Sequence, residues 1–347
     1  MREPIESDWS DRDLEIIRDL LESFQVHLRD RILETRQLHH PDEMAEVAAV
    51  MAADTIYRID RVSEASVLDW FDANWPSEWV AELVMEGLED SERRIVPLSA
   101  FGSNPRLKII VDPIDGTRGL IHDKRPAWIL TGVAPWRGEA TTLDGILVAV
   151  MTEVPTTRQW RSDQVSALRG GGEAGVRAMT HDLIRGGRKP VRLRRSESRS
   201  FEHGFATFAR FLPEGKALLA AFEEEFWRVL SAEIGPLSQV FEDQYISTGG
   251  QLYELMAGHD RMIGDLRPLA FRRLGLAGRM VCHPYDICTS LILEEMGGVV
   301  VGPAGQVLRP GLNTIEAVSW IGFANPGLAG LALPVIQSLL PEFFGRE

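Results

Sequence analysis

The stretch Leu107-Lys108-Ile109-Ile110-Val111-Asp112-Pro113-Ile114-Asp115-Gly116-Thr117-Arg118-Gly119 decides how this 347-residue chain is read. Leu107 to Ile110 is a short apolar run of the kind that forms a buried strand. It runs into two aspartates with a proline between them, then glycine and threonine. Proline is expected to end the strand, so both carboxylates sit where the chain leaves the sheet. Two carboxylates so close repel unless something positive lies between them, and a hard divalent cation takes carboxylate and carbonyl oxygens. An Asp-rich turn with glycine at its tight position explains the same residues without an ion. On this stretch alone both readings stand.

The neighbouring chain supplies partners for those acids. Trp79 to Gly87 is apolar and ends in Glu86-Gly87, which predicts a core strand with an acid at its end. Residues 89–94 read as a charged turn and Arg94 to Leu98 as the returning strand. Two strands that each end in a carboxylate are what a metal site at a sheet edge needs. Further upstream, 42–73 reads as one long helix, stopped by Trp75-Pro76. On it Asp60 and Glu64 are four apart and share a face, while Asp54 need not. Arg58 and Arg61 pairing with these acids on a solvated face is the plain alternative. Downstream, Cys282-His283-Pro284-Tyr285-Asp286 opens a predicted helix through Met296, with Pro284 suited to its first turn and Asp286 beside the exposed amides there. His283 is expected to be structural or to line a substrate.

At the N-terminus Ser10 and Asp13 form a capping box for a helix with Leu14, Ile17, Leu21, Phe24, Leu28 and Ile32 on one face. His39-His40-Pro41 reads as a surface loop, because nothing nearby completes a metal site. Ala127 to Ala134 and Leu143 to Thr152 read as strands. The glycine run Arg169 to Gly175 lacks the Gly-Lys-Ser/Thr ending of a phosphate loop and reads as a flexible hairpin. Gly186 to Pro190 and Val191 to Arg195 read as a basic turn and strand, and Ser196 to Ser200 as the crossover between domains 1–195 and 196–347. From there strands at 203–208, 261–264, 299–301 and 320–324 alternate with helices at 213–230 and 251–257, which implies a mixed sheet with helices on its faces.

Bulk properties exclude several classes. A net charge of −14 argues against a nucleic-acid polymer as partner, and 44% hydrophobic content argues against disorder. Cys282 and Cys288 are the only cysteines and lack Cys-x-x-Cys spacing, so they read as free buried thiols of a reducing, cytoplasmic compartment. Met1 to Trp9 carries Arg2, Glu3, Glu6 and Asp8 and is no signal peptide. The most apolar part, 326–344, has internal prolines and reads as a packed helix rather than a membrane span. A Ser-His-Asp hydrolase is unsupported without a Gly-x-Ser-x-Gly elbow, and no strand–Gly-x-Gly-x-x-Gly–helix unit supports a dinucleotide site.

Asp112-Pro113-Ile114-Asp115-Gly116-Thr117 resembles the central signature of the inositol monophosphatase-like, Mg2+-dependent, lithium-sensitive phosphatases, which include fructose bisphosphatases and bisphosphate nucleotidases. Asp286 followed by Leu291 to Val300 resembles their C-terminal metal-binding helix and strand, and the resemblance extends over about 11–345. It implies a layered α-β-α-β-α sandwich, with an antiparallel-sheet N-terminal domain and a mixed-sheet C-terminal one. It implies that Glu86, Asp112, the Ile114 carbonyl, Asp115 and Asp286 hold two or three Mg2+ ions, with Mn2+ as a substitute. Asp60 would orient the attacking water and Thr117 would share it, so Asp60, Thr117 and Asp115 form the catalytic set. Gly116 and Thr117 would offer amides to the phosphate, with Arg118 beside them, and Glu64 would be structural support. The region of Gly249, Glu254 and Ala257 to Asp260 is similar to the segment preceding the Asp286 helix in such enzymes.

The activity so implied is phosphomonoester hydrolysis on a small phosphorylated metabolite, an inositol or sugar phosphate, in a cytoplasmic protein that needs no membrane and is allowed to be a homodimer. A bisphosphatase acting on a sugar bisphosphate or a 3'-phosphonucleotide is the narrower alternative, and a catalytically impaired binding protein on the same fold the alternative of another class. Three departures bear on this. Gly87 stands where the family usually has a second glutamate, Arg118 where it has a second threonine, and Ile287-Cys288-Thr289 where it has Ala-Ala-Gly. The segment Arg261 to Met280, with Arg267, Arg272, Arg273 and Arg279, occupies the region that usually shapes substrate choice.

Overall fold

In the computed structural model the described residues are 9–38, 43, 47–50, 55–88, 94–235, 237, 239–276 and 280–345, with backbone alone at 47–50 and 55–58. The expected features at residues 1–8, His39-His40-Pro41, Asp54, 89–93 and Arg279 fall outside them. Ser10 starts the first helix as expected. Its hydroxyl donates to Asp13 Oδ2 at 2.7 Å, and the Asp13 amide donates back to Ser10 Oγ at 3.2 Å. α1 (Asp11–Leu38) then buries all six periodic apolar residues.

The helix expected over 42–73 is shorter. A hairpin, β1 (Val47–Val50) and β2 (Thr55–Tyr57), precedes α2 (Arg58–Asn74), which ends before Trp75-Pro76. Val47, Val50, Thr55 and Ile56 are β-branched, and that preference for extended backbone prevails over the apolar period.

The first sheet begins with β3 (Ala81–Met85), its antiparallel partner β4 (Arg94–Val96), and β5 (Leu107–Asp115), which runs parallel to β3. Pro113 does not end β5. Pairing passes from Asp112 opposite Leu130 to Asp115 opposite Trp128, so Pro113 and Ile114 together face one residue of the partner strand. A bulge is where a proline without an N–H fits inside a ladder.

After the short helix α3 (Thr117–Ile121), the sheet continues antiparallel. Its strands are β6 (Ala127–Pro135), β7 (Val148–Val154), β8 (Arg161–Leu168), β9 (Arg177–Asp182) and β10 (Arg188–Pro190). Sequence reading missed β8 and β9 and placed a strand at 191–195. There Val191 makes one further pairing, to the Ala178 carbonyl at 3.0 Å, and the chain then leaves the sheet. The glycine run joins β8 to β9 through one helical turn, α4 (Gly172–Gly175). Its Gly170 and Gly172 amides donate to the Glu295 carboxylate at 2.9 and 2.7 Å, so donors a phosphate would need are already engaged.

The second sheet lies wholly after residue 203. It contains β11 (Gly204–Phe208), β12 (Val240–Phe241), β13 (Asp260–Asp265), β14 (Val299–Val301) and β15 (Trp320–Phe323). β11 pairs in parallel with β12 and β13, and β15 pairs antiparallel with β13 and β14, giving the expected mixed sheet. Its helices are α5 (Lys216–Ile234), α6 (Thr248–Met256), α7 (Arg267–Leu274), α8 (Pro284–Ile287), α9 (Ser290–Glu295) and α10 (Pro326–Phe344). The single helix expected from Pro284 through Met296 is thus broken in two, and Gly249-Gly250 lies inside α6 rather than before it.

Two cores flank the first sheet, and β5 shows how. Ile109 and Val111 belong to the core that also holds α1 and α2, while Ile110 belongs to the one holding the second sheet. With both faces covered, every residue of β5 is buried, which explains its continuous apolar run. Helix α10 is long and apolar enough to cross a membrane, yet it packs on α5, α7 and β15 and buries Leu328, Ala332, Val335, Ile336 and Leu339.

A buried polar network pins α1 to the sheet. Gln25 Nε2 donates to Thr131 Oγ1 (2.9 Å) and to the Val150 carbonyl (2.8 Å), and its Oε1 accepts from Thr152 Oγ1 (2.7 Å). Gln25→Ala should therefore cost about 1–3 kcal/mol in urea unfolding, since buried partners lose their bonds. Exposed Gln37→Ala should cost under about 0.5 kcal/mol. Equal costs would refute the pinning role.

Candidate metal centre

The parallel pairing of β3 with β5 sets Met85 opposite Val111, so Glu86, just past the end of β3, comes beside Asp112 within β5. The Glu86 amide donates to the Val111 carbonyl at 3.2 Å and carries the pairing one residue past β3. The bulge is held from within, because Asp112 Oδ1 accepts from the Ile114 amide at 3.0 Å. Gly116 follows at φ +95, and a Cβ there would come within 3.1 Å of the Ile246 carbonyl. Only glycine makes that turn without strain. It delivers Thr117, whose hydroxyl lies 2.7 Å from the Ile114 carbonyl and 3.2 Å from Asp60 Oδ1 on the first turn of α2.

Asp115 is gripped from the second half of the chain. Its Oδ2 accepts from Ser247 Oγ (2.8 Å) and the Gly249 amide (2.5 Å), while Ser247 Oγ caps α6 by accepting from the Gly250 amide (2.9 Å). A Cβ on Gly249 would lie 2.5 Å from Leu130 and 3.1 Å from Asp115 Oδ2, so the close approach requires glycine. Asp286 stands in the first turn of α8 behind Pro284, where its Oδ2 accepts from the His283 amide at 2.5 Å. His283 itself stacks on Tyr285 with ring centroids 5.2 Å apart, and its Nδ1 is 3.2 Å from the Tyr285 hydroxyl.

The structure brings the acids together. Asp112, Asp115 and Asp286 each offer an oxygen within 4.8 Å of the others, and Glu86 lines the same cavity with Ile114, Gly116, Thr117 and Arg118. Burial pushes the Asp112 carboxyl well above its usual range, with Glu86, Asp115 and Asp286 adding to the rise. Burial and then Asp286 push Asp115 up to about 8, against the pull of its Gly249 and Ser247 hydrogen bonds. An all-oxygen donor set of this kind fits a hard divalent cation.

Other singled-out residues fall around this centre. Glu64 Oε2 pairs with Arg61 at 3.1 Å, and its Oε1 is buried and has no hydrogen-bond partner among the described residues. That oxygen lies 2.1 Å from where a Cβ on Gly87 would stand, and Gly87 has φ +87. Glycine at 87 therefore has a local cause. Arg118 Nη1 reaches Met280 Sδ at 3.0 Å. Arg267 also lines the cavity, but it is buried and bound to Asp265 through Nε (2.9 Å) and Nη2 (2.5 Å), and it sits 4.2 Å over the Phe211 ring. Arg272 and Arg273 are exposed. Glu254 contacts His259, and Asp260 is pushed up to about 7 by burial and then Glu254, outside the cavity. Sequence reading missed Ser247 and Phe211. For Ser247 a signal existed, since a serine preceding a helix is a cap.

No family model matches the sequence, and no curated protein matches it. Solved structures share the fold. A Leishmania major fructose-1,6-bisphosphatase is 14% identical with a TM-score of 0.63, covering 95% of each chain. The extragenic suppressor protein suhB of Bartonella henselae is 17% identical with a TM-score of 0.59, over 93% of this chain and 98% of that one. A Pyrococcus horikoshii hypothetical protein with similarities to inositol-1 monophosphatase is 13% identical with a TM-score of 0.58, over 93% and 98%. What the chain shares with these structures, at 13–17% identity, is their fold.

Asp115 gives the metal-free protein a pH dependence. Between 3.8 and about 8 the folded state holds a proton on Asp115 that the unfolded chain has released. Stability must then fall as pH rises through that window. In EDTA, the thermal midpoint should decline from pH 5 to pH 8. Asp115→Asn should blunt the decline without removing it, because Glu153 and Asp260, each raised to about 7, add in the same direction. An unchanged slope in the variant would contradict this account.

Proposed function

We propose that this protein is a Mg2+-dependent phosphomonoesterase acting on a small phosphorylated metabolite. The observation that carries the reading is the convergence of Glu86, Asp112, Asp115 and Asp286 on one cavity beside Thr117 and Asp60. Glu86, Asp112, the Ile114 carbonyl, Asp115 and Asp286 would hold two or three ions, with Mn2+ as a substitute. When bound, such ions neutralise phosphate oxygens and make water a stronger nucleophile near neutral pH.

The protein's own groups do the rest. Asp60 orients the attacking water and accepts its proton, and Thr117, hydrogen-bonded to Asp60, fixes that carboxylate and shares the water. The Gly116 and Thr117 amides at the end of β5 meet the phosphate. Helix α3 has only five residues, so these amides act as local donors. In-line displacement breaks the ester bond and yields inorganic phosphate and an alcohol. Neither cysteine is a nucleophile, since Cys282 and Cys288 are buried and burial pushes both thiols well up. Arg118 on the cavity wall favours a leaving group with a second anionic substituent, which keeps a sugar bisphosphate or 3'-phosphonucleotide in the assay panel.

Phosphate release across inositol, sugar and nucleotide phosphates, with Mg2+ or Mn2+ and with lithium added, tests the reading. Thr117→Ala should lower kcat on the order of 100-fold while the folded protein still binds Mg2+. Asp115→Asn and Asp286→Asn should lose Mg2+ affinity. Full activity in both aspartate variants would sink the site. Mg2+ binding without phosphate release from any substrate would favour a binding protein instead.

A further inference from the structure

The outer edge of the first sheet carries a basic run that the metal centre does not use. From Ala174 to Ser196 the chain holds seven arginines and lysines and one acid, Asp182. Arg177 pairs with Glu15, Asp19 and Glu22 of α1, and Arg195 donates to the Met296 and Ala324 carbonyls at 2.7 and 3.2 Å. Arg185, Arg188, Lys189, Arg192 and Arg194 remain. All five are exposed, and none forms an ion pair among the described residues. They lie in the turn between β9 and β10, on β10 as the outermost strand, and on the chain that leaves it.

The acids around this edge do not neutralise it. Asp182 accepts from the Ile184 and Arg185 amides at 3.0 and 2.8 Å and is bound into the turn. Glu173 shares a groove with Arg192. Asp30 and Glu34 of α1 pair with Arg29 and Arg31, and Asp123 is shared by Arg36 and Arg158. Asp163 accepts from Thr180 Oγ1 and from the Tyr253 hydroxyl, both at 2.6 Å, and Glu153 accepts from Gln159 Nε2 at 2.8 Å. Glu254 lies against His259. With Asp182 and Glu173 both counted as full charges, the five unpaired cations still outweigh them.

Apolar side chains protrude among these cations. Ile184 in the β9–β10 turn is 78% exposed, and Trp160 is 45% exposed. The two are neighbours, since the Leu183 amide donates to the Trp160 carbonyl at 2.9 Å, and the exposed Arg161 guanidinium lies 5.0 Å over the Trp160 ring. A single exposed apolar residue is common. A tryptophan and an isoleucine among cations suit an anionic membrane surface, where the cations meet headgroups and the apolar tips reach the acyl boundary. The same edge is a poor template for an added peptide strand, because β10 spans three residues and Pro190 has no N–H. The net charge of −14 does not prevent a local approach, because exposed charges farther away than about 8–10 Å are screened at physiological salt.

We propose that this edge docks the protein reversibly on an anionic lipid bilayer. Arg185, Arg188 and Lys189 meet the headgroups, and Ile184 and Trp160 enter the acyl boundary. Nothing in this assignment depends on the phosphatase reading.

The probe is phosphatidylcholine vesicles with and without phosphatidylserine, co-sedimented with the full chain at low salt and with Mg2+ in every arm. Binding is expected to the phosphatidylserine vesicles alone, and it should fall as salt rises. Arg188→Glu combined with Lys189→Glu should weaken it about tenfold or more, because each cation near such a surface adds to the attraction. Arg272→Glu combined with Arg273→Glu changes the net charge equally on exposed positions of α7 and should leave binding unchanged. Ile184→Ser should weaken binding at unchanged charge. All these positions are exposed, so the variants should unfold at the parent's temperature. No binding by the parent, or equal binding by the parent and the Arg188/Lys189 variant, overturns the proposal. Equal binding to both kinds of vesicle overturns its electrostatic basis, and full binding by Ile184→Ser overturns the insertion. Capture of a single-stranded oligonucleotide that the Arg188/Lys189 variant loses, without vesicle binding, would replace the bilayer with a nucleic acid as partner.

Discussion

Mutual repulsion among buried carboxylates is the constraint around which this fold is arranged. Asp112 and Asp115 are almost wholly shut off from solvent, with Asp286 and Glu86 beside them. Burying one unpaired charge costs several kcal/mol, and gathering more without a counter-ion multiplies that cost. A fold tolerates the arrangement only if each acid is fixed by independent structure. Here the fixing elements are a parallel strand pair, a bulge, a helix N-terminus and a proline-led helical turn.

Those elements come from both halves of the chain, and this is why the centre lies where the halves meet. Strands β3 and β5 deliver Glu86, Asp112 and Asp115, while α6 grips Asp115 and α8 supplies Asp286. The core shared between the sheets, with Leu130 of β6 against Gly249 of α6, keeps the grip tight. Packing and chemistry are thus linked through one short contact. Displacing α6 by the width of a methyl group would move the hydrogen bonds on Asp115 before it exposed any apolar surface.

Much of this was legible in the sequence wherever the signal is local. The 3.6-residue spacing from Leu14 to Ile32, the Ser10–Asp13 cap and the acid Glu86 at the end of its apolar run all lie where local rules place them. The misreadings have a common cause. At 47–50 and 55–57 the β-branched residues favour two paired strands that an apolar period hides. At Pro113 the proline sits in a bulge, a pairing irregularity that needs the partner strand to be seen. The grip of Ser247 and Gly249 on Asp115 spans more than 130 residues, and no local pattern encodes it. Local preference settles elements, while pairing and long-range contact settle how they join.

Two of the departures from the resembled pattern, Gly87 and Arg118, differ in physical kind. At 87 the backbone is left-handed, and Glu64 already fills the space that a side chain would need. Gly87 is therefore accommodated inside the protein, by packing behind the strands. Arg118 instead faces the cavity and spans it to Met280 of the other half. Its guanidinium keeps its charge at any pH the protein meets, and it lies one residue beyond the threonine that contacts Asp60. A glycine enclosed by packing presents no group to the cavity, whereas a charged side chain on the cavity wall meets whatever enters. For that reason the reaction proposed for this centre rests on the acids, while the proposed choice of substrate rests on Arg118.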